Sequence, residues 1–156
     1  MSSSIPAAYS RLVDQIAAAL GRPGLPISDE GVCTLRVNDG LLLHLAADPV
    51  APLLVVFAEL GRIPAGGRLS LYGRLLQANG AGAGPCVLGV NAAQDTALIS
   101  ARLPLADLTM AQFEPWFAAV IEQALHWRVA VAAAHAPATE VPQAVAPHDD
   151  SAWLRA

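Results

Sequence analysis

Residues 69–90 read LSLYGRLLQANGAGAGPCVLGV, and the order of elements inside this stretch decides the fold. Glycines at 80, 82 and 84 suggest a loop that cradles phosphate. A dinucleotide-binding fingerprint, however, runs strand, glycines, then a helix whose N-terminus faces the pyrophosphate. Here helical spacing predicts a helix over 68–79 first. Asn79 and Gly80 end it, and a strand over 86–90 follows. The glycines then sit at a helix C-terminus, whose partial negative charge repels phosphate. All nine basic residues are arginine, so neither a phosphate-loop lysine nor a Schiff-base lysine exists. The segment is a helix stop and linker.

The predicted helix carries two apolar stripes. Leu69, Tyr72 and Leu76 form one, and Leu71, Leu75 and Ala78 form another beside it. A surface helix needs only one such face, so the second predicts contact with another copy of the chain.

Outward from this stretch, the remaining elements are well signposted. Tyr9, Leu12, Val13, Ile16, Ala17 and Leu20 follow helical spacing until Gly21 and Pro23 stop them. Alternation predicts strands over 32–37 and 41–46 around the hairpin signal Asn38-Asp39-Gly40, then a third strand over 53–60. A further strand over 97–103 follows the fourth. Thr109 and Gln112 form a capping box, reinforced by a Leu108–Phe113 staple, that opens a long helix. Pro115 is expected to bend or loosen its first turns. Residues 135–156 form an acidic Ala/Pro-rich tail, expected to be disordered, with Trp153 and Leu154 near its end. One domain over 1–134 follows. Its order is α-β-β-β-α-β-β-α, an α+β fold with a twisted antiparallel sheet and helices on one side.

Composition narrows the function. The chain is 54% apolar and 14% charged, against about 25% charged in an average protein. An apolar surface of this kind implies a partner. The net charge of −4 and the lack of a basic stripe argue against nucleic acid. With no apolar run of about 18 residues and no basic leader, membrane insertion is not expected and a cytoplasmic protein is. Cys33 and Cys86 lack CxxC spacing and read as buried, reduced thiols.

Catalytic chemistry finds no foothold. His44 is alone on a leucine-rich strand, with no second ligand at metal spacing. His126, His135 and His148 form no HExxH pattern, Ser70 has no evident base, and most carboxylates fall in turns. No enzyme, cofactor or metal is expected. Glu59 is informative in another way, because it ends an otherwise apolar strand and marks that face as solvent-exposed. Leu53, Val55 and Phe57 share its face, and the same logic places Thr34, Arg36, Leu42 and His44 outside. The sheet then has a mixed apolar face without a covering helix, suited to an extended peptide. A competing reading is a dimeric small-ligand domain with its pocket at the 80–84 loop, for which Arg74, Gln77 and Asn79 are the polar candidates.

These elements resemble the class I type III secretion chaperones of the Tir-chaperone (CesT-like) family. The matching stretches are LVDQIAAALG (12–21), GLPISDEGVCTLRVNDG (24–40), LLLHLAADPVAPLLVVFAELGRIP (41–64), LYGRLLQANGAGAG (71–84), VLGVN (87–91), ALISARLPL (97–105) and LTMAQFEPWFAAVIEQALHWR (108–128). The resemblance implies an acidic homodimer without enzymatic activity or cofactor. It would bind the N-terminal region of a secreted effector in extended form, preventing aggregation, with the secretion apparatus as a further partner. It also implies a dimer interface on the second helix and the next strand, at Leu71, Leu75, Leu76, Val87 and Leu88. Thr34, Arg36, Leu42, His44, Val55 and Phe57 are then the expected effector-binding residues. Pro115 and the long tail depart from the family pattern.

Overall fold

A computed structural model describes residues 5–136. The tail residues 137–156, with His148, Trp153 and Leu154, lie outside the described residues. The order is α1 (Ala7–Ala19), β1 (Cys33–Val37), β2 (Leu41–Ala47), β3 (Leu53–Arg62), α2 (Arg68–Ala81), β4 (Cys86–Asn91), β5 (Thr96–Pro104) and α3 (Met110–Ala133). A 3-10 turn at Asn38–Gly40 joins β1 to β2. The five strands form one antiparallel sheet in the order β1-β2-β3-β5-β4, as expected of an α+β fold.

Period-two alternation assigns each strand one buried face. Leu43, Leu45, Leu54, Val56 and Ile99 are wholly enclosed on it. Against them pack Leu12, Val13 and Ile16 of α1, Leu71 and Leu75 of α2, and Phe113, Val120, Ala124 and Val131 of α3. Tyr9 ties α1 to the sheet. Its hydroxyl donates to the Leu45 carbonyl (2.6 Å) and accepts from the Cys33 N–H (3.2 Å). Cys33 and Leu45 face each other in the β1–β2 register, so the hydroxyl bridges the end of that ladder. Burial pushes the Tyr9 hydroxyl up to about 12.

Several boundaries differ from the sequence reading. α2 continues past Asn79 and Gly80 to Ala81 and closes at Gly82, whose φ of 147° only glycine adopts readily. Asn79 is not a helix stop because its side chain is used on β4. Its Nδ2–H donates to the Leu88 carbonyl (2.9 Å), and the Leu88 N–H donates to its Oδ1 (2.8 Å). One amide thus satisfies both outward-facing backbone groups at this point of the edge strand. Inside α2, Gly73 and Gly80 are each unfavourable by about 1 kcal/mol relative to alanine. Pro115 does not interrupt α3, which runs unbroken through it. The ring and Ala111 are both exposed, so the carbonyl that loses a donor can face water. The Thr109–Gln112 capping box forms as read, with Gln112 Oε1 accepting from the Thr109 N–H at 3.1 Å. Leu20 leaves the core stripe: it follows the last turn of α1 and is 56% exposed.

The expected dimer residues separate. Leu71, Leu75 and Leu88 are buried in the protomer's own core, so they have no surface to offer a second copy. Two apolar stripes on one helix cannot be ranked from sequence, and the sheet took the stripe containing Leu71 and Leu75. Val87 alternates to the opposite face of the sheet from Leu88. Of the five, only Leu76 remains exposed on α2.

Candidate functional site: the open face of the sheet

The face of the sheet away from the helix-packed core is uncovered among the described residues. One row of it crosses all five strands. Thr34 on β1 opposes His44 on β2, which opposes Phe57 on β3, then Ser100 on β5 and Val87 on β4. Cross-strand neighbours interact directly. Thr34 Oγ1 and His44 Nδ1 share a hydrogen bond of 2.9 Å, and the imidazole stacks on Phe57 with ring centroids 5.0 Å apart. The row is polar at β1, aromatic at its centre and aliphatic at β4.

Flanking rows widen the surface. Arg36 pairs with Leu42 on one side, and Ala46, Val55 and Arg102 line up on the other. Leu42 is 41% exposed, Phe57 37% and Val87 53%, while Val55 is half-buried and Thr34 and Arg36 are exposed. All six residues expected at the binding face, Thr34, Arg36, Leu42, His44, Val55 and Phe57, therefore lie together on it. Ser100, Arg102 and Val87 belong to the same surface and were not singled out for it. The alternation of β4 and β5 carried that signal, but strand order across the sheet was needed to bring them beside Phe57. Glu59 sits at one end of the face. With Leu42, His44 and Arg128 it lines a shallow cavity of about 300 Å³.

The turn beside the face is fixed by Asp48. Its Oδ1 accepts from the N–H groups of Val50 (2.8 Å) and Ala51 (3.0 Å), and these bonds hold its carboxyl below the usual carboxylate range. Cys33 and Cys86 are buried free thiols on the core side, as read, and burial pushes Cys86 up to about 11. Among the described residues no three His, Cys, Asp or Glu side chains come together as a metal site. Of the polar groups proposed for a ligand pocket near residues 80–84, Arg74 and Gln77 line a shallow cavity of about 290 Å³ with Gly82 and Trp127, and Asn79 does not join them. Asn79 is committed to Leu88, and the Arg74 guanidinium lies over Trp127, 5.9 Å from the ring centroid. No helix among the described residues is long and apolar enough to cross a membrane.

Comparison with known proteins agrees with this architecture. The model of the Tir chaperone protein (CesT) family matches residues 11–128. The chain belongs to that family. No curated protein matches the chain. Among solved structures, a HopA1–SchA chaperone–effector complex contains a chain of the same fold, with TM-score 0.65 and 19% identity over 78% of this chain and 94% of that one. A chain of the ExsC–ExsE complex gives TM-score 0.63 at 19% identity, covering 78% of this chain and 92% of the other. A chain of an ExoT–SpcS complex from Pseudomonas aeruginosa gives TM-score 0.57 at 24% identity over 81% and 99%. At these identities the likeness establishes the fold. The family match independently makes this a chaperone of the Tir-chaperone type, as the resemblance in sequence implied.

Proposed function

We propose that this protein is a cytoplasmic, homodimeric type III secretion chaperone whose open sheet face holds the N-terminal segment of a secreted effector in extended form. The observation that carries the reading is the uncovered five-strand row Thr34–His44–Phe57–Ser100–Val87, flanked by Leu42 and Val55. An extended segment laid on it buries apolar side chains against Leu42, Val55 and Phe57, while Thr34, Arg36 and His44 offer polar partners. Such capture needs no nucleotide, cofactor or catalytic group. It keeps the client soluble by covering the client's own apolar residues. The family and the chaperone–effector complexes that share the fold support the assignment of an effector as client.

The test is co-purification of the full chain with a secreted protein encoded beside it. The complex is expected to survive deletion of the client's C-terminal part and to be lost with its N-terminal segment. Leu42→Asp and Phe57→Asp should weaken capture at least tenfold while leaving the circular dichroism spectrum unchanged. Wild-type binding by both variants would rule this face out.

A further inference from the structure

We infer that residues 141–154 of this chain lie across its own open sheet face and are displaced by a client, an inference that rests on that face being the client site. Among the described residues, no element covers Leu42, Phe57 and Val87 on that face. Residues 137–156 follow Ala136 and hold the apolar pair Trp153-Leu154, with Val141 and Val145 before it. Apolar side chains on the face and in the segment leave water together when the two meet.

α3 delivers the chain to the rim of this face. Its last turns lie against the end of β3, where a Cβ on Gly61 would meet Val131 at 3.5 Å. One turn further on, His135 Nε2–H donates to the Arg62 carbonyl at 2.7 Å. Arg128, from the same part of the helix, lines the cavity that Leu42 and His44 line from the open face. The segment therefore starts at the boundary between the two faces. Phe57 lies back along β3 from Arg62 by about 17 Å. From Ala136 to Trp153 an extended chain covers up to about 55 Å, enough to round the end of the sheet and reach Phe57.

Charge and backbone chemistry fit the same arrangement. Arg36 and Arg102 stand on opposite flanks of the Phe57 row, with Glu59 at one end of the face and Asp48 beside Arg102. The segment brings Asp149 and Asp150 shortly before Trp153. In extended chain they precede it by about 10 Å, close to the separation of Phe57 from Arg36 across two strands. Pro137, Pro142 and Pro147 recur every fifth residue. Each keeps the residue before it extended, so less freedom is lost when the segment is laid flat. Proline has no N–H to give to a ladder, which suits a face met through side chains rather than a strand edge. A tethered segment presents itself at roughly millimolar effective concentration. A contact with Kd of about 0.1 mM then covers the face in about nine molecules of ten and weakens a competitor about tenfold. The apolar face is shielded from self-association and still yields to a tighter client.

Titration of a synthetic peptide of residues 137–156 into the full chain tests this. Trp153→Asp with Leu154→Asp frees the face, so that variant should bind the peptide about tenfold more tightly than wild type. Phe57→Asp added to it should abolish the binding, with circular dichroism checking the fold. Cys33 and Cys86 are buried, so a nitroxide can be placed selectively on Ser151→Cys. In the isotope-labelled full chain it should broaden the amides of Leu42, Val55 and Phe57 more than those of α1 on the covered face. Equal peptide affinity in wild type and variant, or broadening that does not favour the open face, overturns the inference. Broadening seen only between separately labelled chains places the segment on a second copy and overturns its own-chain sense. If the segment leaves the face untouched while Phe57→Asp abolishes client co-purification, this inference fails and the proposed function stands. If the segment docks but Phe57→Asp leaves client co-purification intact, displacement by a client fails together with the proposed function.

Discussion

The two faces of the sheet are built from the same strands, and along β2 and β3 both carry large apolar side chains, yet only one face is enclosed. Along β3, Leu54 and Val56 are fully enclosed, while Val55 between them is half-buried and Phe57 is 37% exposed. Along β2, Leu43 is enclosed and Leu42 is 41% exposed. Hydrophobicity alone does not separate these neighbours, since β3 from Leu53 to Ala58 is apolar on both sides and Leu42 and Leu43 are the same residue. Among the described residues, the difference is three helices on one face and none on the other. Apolar side chains on the first face stabilise the fold, and those on the second remain available to a partner.

Adjacent substitutions on β3 should show this contrast most sharply. Leu54→Ala removes an enclosed side chain and should cost about 2–5 kcal/mol in urea unfolding. Val55→Ala, one residue away, should cost less than about 1 kcal/mol and show its effect in client capture instead. Equal losses of stability would mean that the second face is covered after all.

A smaller effect is expected where α1 meets the covered face. Tyr9→Phe keeps the ring but removes the hydroxyl that serves both Cys33 and Leu45, and should cost about 1–3 kcal/mol. Chemical denaturation against wild type measures it, and an unchanged midpoint would show that the two strands close on each other without the hydroxyl.

Alkaline titration probes the same face more gently. Burial raises Tyr9 from 10.0 to about 12 and Cys86 from 9.0 to about 11. The unfolded chain ionises first, so their contribution is intact below about pH 9 and declines progressively as pH rises towards 12. The urea midpoint should therefore fall over that window, and Tyr9→Phe should flatten its upper part. A midpoint that is constant from pH 9 to 12 would contradict the burial of both groups.

Much of this arrangement was legible in the residues themselves. Glu59 at the end of an apolar strand marked the outer face, and alternation then carried that mark to Thr34, Arg36, Leu42, His44, Val55 and Phe57. The Thr109–Gln112 box placed the start of α3 because capping is a local interaction over three residues. Local chemistry also explains the rejection of a phosphate loop at 80–84. What escaped were choices between equals and contacts between distant positions. Leu69 and Leu71 are both leucine on one helix, and no local rule says which meets the sheet. Asn79 looked like a helix stop because its partner, Leu88, lies across the loop on another element. Pro115 looked disruptive because its effect depends on whether that turn faces the core or water.

The order of elements, their type and the two-sided character of each strand were determined by the sequence alone. Periodicity, turn residues and caps act over a few residues and need no knowledge of the rest of the chain. Tertiary structure decided which apolar stripe of α2 is core and which is surface. It also brought Ser100 and Val87 into line with Phe57, and turned the Asn79 amide into a guard on the β4 edge. Those outcomes depend on strand order and on the placement of helices over one face, quantities that arise only when segments far apart in the chain compete for the same buried surface.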